Sequence, residues 1–278
     1  MLTRRLAIMA VLIYCFLISS CLSNVRQNTT PHIESDTNLV ILAASSLTDA
    51  FTELKNLFEE KYPRTNILLN FAGTPTLLTQ LDLSSSADLF ASADEYHISL
   101  AQEKGIILAS NTTKFATNKL TLITPASSKV VRELHDISNP NTKIILALKN
   151  VPLGRYSHAS LELMGHLNNS DLDFTRRVLK NVVSQETAAR QVLAKIMIGE
   201  ADAGIVYITD ATKRHPTHLN MIMIPDEANV TAIYSIGIVT NARNHKIDHA
   251  QQFIDFIVSN KGQDILRRHG FGKVQQNQ

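Results

Sequence analysis

Four short segments hold the residues best placed to do chemistry: Ala43-Ala44-Ser45-Ser46-Leu47, Phe71-Ala72-Gly73-Thr74-Pro75-Thr76, Val151-Pro152-Leu153-Gly154-Arg155-Tyr156 and Gly204-Ile205-Val206-Tyr207. The first three set small, hydroxyl-bearing or backbone-exposing residues where a strand pattern hands over to a helix pattern. The first amides of a helix have no carbonyl partner in their own helix, and the helix dipole adds partial positive charge there. Such turns hold anions. The fourth segment adds a phenol hydroxyl at the end of a strand. The chemistry this suits is capture of an anion, not the making or breaking of bonds.

Each segment also has a plainer use. Ser46-x-x-Asp49 has the spacing of a capping box, in which a carboxylate folds back on the first turn and would repel an anion. Ser45 could cap instead and leave Ser46 free; the sequence keeps both open. Thr74 reads as a helix cap with Pro75 at the first helical position, and Gly73 lets the backbone come close to a ligand. Gly154, just ahead of a helix, leaves the Leu153 and Gly154 amides without helical partners. Ala189 falls in the first turn of the helix after Glu186. Tyr207 ends an apolar strand, where a tyrosine is often a core residue with one satisfied hydroxyl. Arg155 and Arg190 stand nearby in sequence and are expected to pack or to form surface pairs.

Enzyme chemistry has little support. No Gly-x-Ser-x-Gly elbow is present. His97, His158, His166, His215, His218 and His269 show neither metal-ligand spacing nor a tie to the serine segment. No cofactor and no free metal cation are expected.

The elements that must position these residues alternate. Strand patterns at 38–44, 66–71 and 88–92 are each followed by a helical stripe, and the alternation resumes after a strand at 119–124. In the middle, strands are expected at 143–148, 178–183 and 203–208, with helices at 155–167 and 187–198 between them. Strands at 221–224 and 232–240 and two helices at 248–258 and 262–269 close the chain. This is an α/β protein with mostly parallel sheets flanked by helices. The extended stretches at 119–125 and 230–240 are the candidates for two crossover strands. They make a clamshell of two lobes, lobe I from 38–122 plus 231–274 and lobe II from 123–230. Ligands of open α/β sheets bind at the carboxyl ends of strands, where the four segments sit.

The first residues are set apart. Arg4 and Arg5 precede an apolar run from Leu6 to Ile18, shorter than the ~20 residues of a spanning helix and suited to a secretory leader over 1–20. It ends Ile18-Ser19-Ser20-Cys21, which resembles a bacterial lipoprotein cleavage box with Cys21 as the lipidated residue. Residues 21–37 are polar and read as a tether. Cys15 and Cys21 are the two cysteines, so loss of the leader leaves one and no internal disulfide. Loss of the two leader arginines brings 27 basic residues to 25, against 25 acidic ones. A near-neutral chain has no basic field for nucleic acid, and an anion must be held by local dipoles. The absence of tryptophan argues against a sugar- or base-stacking platform.

Taken together, several stretches resemble the molybdate-binding proteins of ABC importers, members of the type II periplasmic-binding-protein fold. They are Leu42 to Phe51, Asn70 to Thr74, Ala87 to Asp94, Val151 to Tyr156, Gly199 to Tyr207, and Gly262 to Leu266 with Gly270-Phe271. The resemblance runs in family order over about 38–272. It implies that a tetrahedral oxyanion is held by the hydroxyl and amide of Ser46, the hydroxyl and amide of Thr74, the amides of Leu153 and Ala189, and the hydroxyl of Tyr207. Pro75 departs from the family, since many relatives carry a small polar residue there.

Molybdate and tungstate are the ligands so implied, with sulfate, thiosulfate or a small organic acid as the alternative. Molybdate is a dianion without protons at neutral pH, so it only accepts hydrogen bonds and suits a cage of donors. The resemblance also implies an exported, membrane-anchored monomer facing the periplasm or exterior. Its partners would be an ABC permease and its ATPase, with no nucleic acid.

Overall fold

Strand β1, Thr37–Ala44, is buried along most of its length, and its alternate side chains enter two different clusters. Leu39, Ile41 and Ala43 join Phe51, Leu54, Phe58 and Phe253. Leu42 joins Leu77, Leu78 and Phe90 on the other side. This is the period of two of an extended chain, and it requires a cover on both faces, as a parallel sheet does. One cover is α1 (Thr48–Lys61) with α8 (Asn244–Val258); the other is α2 (Thr74–Asp82) with α3 (Glu95–Glu103). The Phe58 and Phe253 rings meet edge to face at 5.2 Å, and each buried ring contributes about 1.5–3 kcal/mol.

The computed structural model describes residues 37–83, 86–167, 171, 173–212, 217–242 and 244–274. The expected leader, Cys21 and the tether up to residue 36 lie outside the described residues. Among the described residues no helix is long and apolar enough to cross a membrane.

Two five-stranded sheets form the framework. The first runs β2 (Thr65–Ala72), β1, β3 (Leu89–Ser92), β10 (Ala232–Val239), β4 (Ile107–Asn118). Here β1 is parallel to β2 and β3, while β10 is antiparallel to β3 and β4. The second runs β7 (Val182–Glu186), β6 (Ile144–Ala147), β8 (Ala203–Tyr207), β5 (Leu120–Pro125), β9 (Leu219–Met223). There β6 is parallel to β7 and β8, and β5 is antiparallel to β8 and β9. Helices α4 (Pro152–Leu167), α5 (Phe174–Lys180), α6 (Ala189–Met197) and α7 (Ile208–Thr212) belong with this second sheet, and α9 (Asn260–Arg268) follows α8. The result is two lobes, as the clamshell expectation requires, with β4 and β10 carrying the chain between them.

The connections lie side by side. Asn118 pairs with Ala232 across β4 and β10. The Asn229 side chain accepts from the Leu120 amide at 2.9 Å and donates to the Leu120 carbonyl at 2.8 Å. Because β5 pairs on both edges inside the second sheet, residues 120–122, placed with lobe I on sequence grounds, sit with the second sheet.

Two local expectations are corrected. The strand expected at 178–183 is split: Phe174 and Val178, one helical turn apart, are buried on the inner face of α5, and the strand starts only at Val182. Asn181 ends the helix, its side-chain amide donating to the carbonyls of Ile137 and Asn139 at 2.9 and 2.8 Å. Strand β4 was not anticipated, because its middle, Ser110 to Lys114, is polar and largely unburied.

Candidate functional site

The carboxyl ends of β1 and β2 in the first lobe face the carboxyl ends of β6, β7 and β8 in the second. Between them lies a cavity of about 10 Å³, room for roughly one water. Its wall includes Ser45, Gly73, Thr74, Leu153, Ala189 and Tyr207, and no Lys, Arg, Asp or Glu is among its lining residues. Four of the five residues implied by the resemblance (Thr74, Leu153, Ala189 and Tyr207) are therefore brought to one place. Ser46 is set one residue back, and Ser45 takes its position in the wall.

Local sequence explains the geometry. Thr74 is the first residue of α2 and Pro75 the second, so the cap position falls on Gly73 rather than on Thr74. A Cβ on Gly73 would collide with the carbonyl oxygen of Thr187 in the opposite lobe. Glycine thus lets the two backbones touch, and the cleft is closed. Gly154 plays a different part: a Cβ there would strike the carbonyls of Ala147 and Leu148, so its absence lets the first turn of α4 sit on the end of β6. Ala189 is the first residue of α6, with Ala188 as cap.

These helix starts share a second property. The cap residues of the Ser45–Leu47 turn, of α1, of α2 and of α6 make no side-chain hydrogen bond. Asp94 at α3 and Ser259 at α9 do fill their caps, while Asp173 at α5, away from the cavity, leaves its cap unfilled as well. Of the two readings the sequence keeps open, the capping box of Ser46 and Asp49 does not form: Leu47 is the cap of α1. Ser45, Gly73, Thr74 and Ala189 of these uncapped turns line the cavity, and the positive end of a helix is typically worth ~0.3–1 kcal/mol toward a nearby anion.

The hydroxyls complete the donor set. Thr74 is buried, and its Oγ1 accepts weakly from the Ala93 amide at 3.4 Å, which leaves its proton to give. The Ser46 hydroxyl lies 2.8 Å from that of Tyr234. Tyr234 in turn accepts from the Asn118 side-chain amide at 3.3 Å, so its own proton is free to go to Ser46. Tyr207 is 1 % exposed, and among the described residues its hydroxyl has no hydrogen-bond partner. Burial pushes the Tyr207 phenol well above its usual pKa, with the neighbouring Tyr234 adding to the effect. It remains a proton donor throughout the neutral range. A buried hydroxyl without a partner costs about 1–3 kcal/mol, and this one borders a cavity walled by donors.

Residues 39–272 match the family model of bacterial extracellular solute-binding proteins. The chain belongs to that family. Among relatives of this solute-binding protein, the molybdate-binding protein ModA of Mycobacterium tuberculosis is 32 % identical over 238 residues, covering 85 % of each chain. The molybdate-binding protein ModA of Escherichia coli is 25 % identical over 241 residues, covering 84 % of this chain and 88 % of its own. In fold it is similar to the Azotobacter vinelandii periplasmic molybdate-binding protein, with a TM-score of 0.72 at 18 % identity over 85 % of this chain and all of that one. The sulfate-binding protein SubI of Mycobacterium tuberculosis gives 0.75 at 16 % identity over 86 and 87 % of the two chains.

Sequence reasoning missed the support behind the candidate site of this solute-binding protein. Tyr234 and Asn118 lie in strands with no local pattern to single them out. Arg155 and Arg190, expected to pack or pair at the surface, instead reach across the cleft, to Asp94 at 3.2 Å and Asp49 at 2.8 Å. Larger cavities of about 410 and 660 Å³ open on the second lobe beside Glu162 and beside Met223, away from the uncapped turns.

Proposed function

We propose that this protein captures molybdate or tungstate outside the cytoplasm and presents it to an ABC permease with its ATPase. The observation that carries the reading is the partnerless Tyr207 hydroxyl, buried at a cavity whose wall offers donors and no charged side chain. The donors assigned to the oxyanion are the Ser45-Ser46 turn with the Ser46 hydroxyl and amide, the Thr74 hydroxyl and amide, the Leu153 and Ala189 amides, and the Tyr207 hydroxyl. Hydrogen bonds to a charged group are worth about 1.5–3 kcal/mol each, and a handful can exceed the association cost of ~4–15 kcal/mol. The cavity as it stands is smaller than a four-oxygen ion, so the lobes part to admit the ligand and close on it. Similarity to relatives named for molybdate supports the choice of ion.

The protein carries its ligand unchanged and needs no cofactor. A lipid on Cys21 and the polar tether hold it at the membrane as a monomer.

The test is thermal melting. Molybdate and tungstate raise the melting temperature, because a ligand that binds only the folded state stabilises it by mass action. Hydrogen phosphate, which carries a proton that a donor-only cage leaves without an acceptor, does not. An unchanged melt in excess molybdate and tungstate overturns the reading. Sulfate is the second reading, since it has the same charge and no proton, and a sulfate-binding protein shares the fold. Competition between sulfate and molybdate for the same site separates the two.

A further inference from the structure

The two helices of the second lobe whose first turns wall the cavity each carry an arginine in that turn, and each arginine crosses the cleft. On α6, Arg190 Nη2 lies 2.8 Å from Asp49 Oδ2 of the first lobe, while its Nε lies 2.9 Å from Asp210 Oδ1 of its own. On α4, Arg155 Nη2 lies 3.2 Å from Asp94 Oδ2, and its guanidinium stacks 4.3 Å from the centre of the Tyr96 ring. Asp210 and Asp94 are fully buried, and Asp94 also accepts from the His97 amide at 3.0 Å. These contacts span the lobes, so opening the cleft breaks them.

We propose that Arg190 and Asp49 form a clasp that stabilises the closed form, with Arg155, Asp94 and Tyr96 as its counterpart on α4. They are positioning residues: they act on the anion through closure, without touching it. The inference rests on the oxyanion reading above and deepens it. A ligand shifts an open–closed equilibrium only by its differential affinity for the two forms. Any group that favours the closed form raises apparent affinity and slows release.

The clasp makes a prediction opposite in sign to local electrostatics. Asp49 sits in the first turn of α1, directly after the Ser45-Ser46 turn. A carboxylate there disfavours a nearby dianion, so on charge alone Asp49→Asn tightens binding. On the clasp account it weakens binding. The Asp49 and Arg190 side chains are 30 % and 21 % exposed, so the effect is modest, about three- to fivefold.

The experiment uses the mature full chain with molybdate and, separately, sulfate, in wild type, Asp49→Asn, Arg190→Gln and the double variant. It measures association and release rates, together with the interlobe distance of the ligand-free protein from spin labels on exposed sites of the two lobes. The clasp predicts faster release in each single variant, nearly unchanged association, and no further loss in the double variant. Unchanged or tighter binding by Asp49→Asn, or single effects that simply add, overturns the clasp and leaves the oxyanion reading standing. If the wild type binds neither ion, that reading falls, and the ligand-free distances decide the clasp: a shift to longer separations in Asp49→Asn supports it and an identical distribution ends it.

Discussion

Tyr207 and Tyr234 pack edge to face with ring centres 5.9 Å apart, yet their hydroxyls differ in one respect. That of Tyr234 is satisfied by Ser46 and Asn118, and that of Tyr207 has no partner among the described residues. Two buried phenols in one cluster therefore make opposite predictions on removal of the oxygen. Tyr207→Phe lowers molybdate affinity about ten- to a hundredfold, the loss of one hydrogen bond to a charged group, and leaves ligand-free melting no lower. Tyr234→Phe strips a partner from two buried side chains and lowers ligand-free stability by about 1–3 kcal/mol. Calorimetric melting and ligand titration of both variants check the contrast.

Gly73 is the point where the lobes touch. Its φ of −64° suits any residue, so Gly73→Ala leaves the folded lobes intact. The added methyl meets the Thr187 carbonyl and wedges the cleft. Molybdate affinity should fall by about a hundredfold or more, since the closed form is the one that binds, while ligand-free melting stays within about 0.5 kcal/mol of wild type. Titration beside scanning calorimetry reads both quantities.

The pH profile of binding follows from the burial of Tyr207. A phenol pushed well above 10.0 keeps its proton, and its donor role, beyond the pH at which a free tyrosine ionises. Molybdate affinity is therefore expected to stay level from neutral pH up to that value. A decline with a midpoint at the ordinary tyrosine pKa would show the phenol ionising in solvent. Titrations across this range check it.

A separate acid sensitivity lies in the first lobe. Hydrogen bonding from His269 holds the Glu53 carboxyl below its ordinary 4.5 against the opposing effect of burial, and Arg268 adds to the lowering. A depressed carboxyl contributes stability that is present above 4.5 and is lost as the pH falls through the lowered value. With Glu53 a third exposed, Glu53→Gln costs no more than about 0.5 kcal/mol at neutral pH. It should also flatten the acid limb of the stability curve. Urea unfolding at a series of pH values measures the change.

Much of the candidate site was legible because its parts are local. Pro75 marks the start of α2, Gly154 marks the seat of α4, and strand-to-helix handovers place Thr74, Leu153 and Ala189 at first turns. What was not legible depends on distant partners. Asp49 has capping-box spacing, but its carboxylate turns to Arg190, 141 residues along the chain. Ser45 and Ser46 fall in a 3-10 turn, where each residue rotates about 120°, so only the folded turn decides which hydroxyl faces the cavity. In the fold, β4 is carried by its neighbour β10 rather than by apolar alternation of its own. The end of α5, residues 178–180, reads as part of a strand until Phe174 and Val178 are seen to share one buried face.

The central claim is that one oxyanion sits between the uncapped turns within reach of Tyr207. Anomalous diffraction at the molybdenum edge from crystals grown with molybdate tests it most directly. The account predicts a single strong peak in the cleft, enclosed by the Ser45-Ser46 turn, Thr74, Leu153, Ala189 and the Tyr207 hydroxyl. A peak elsewhere on the protein, or a closed cleft with no molybdenum in it, would contradict the account.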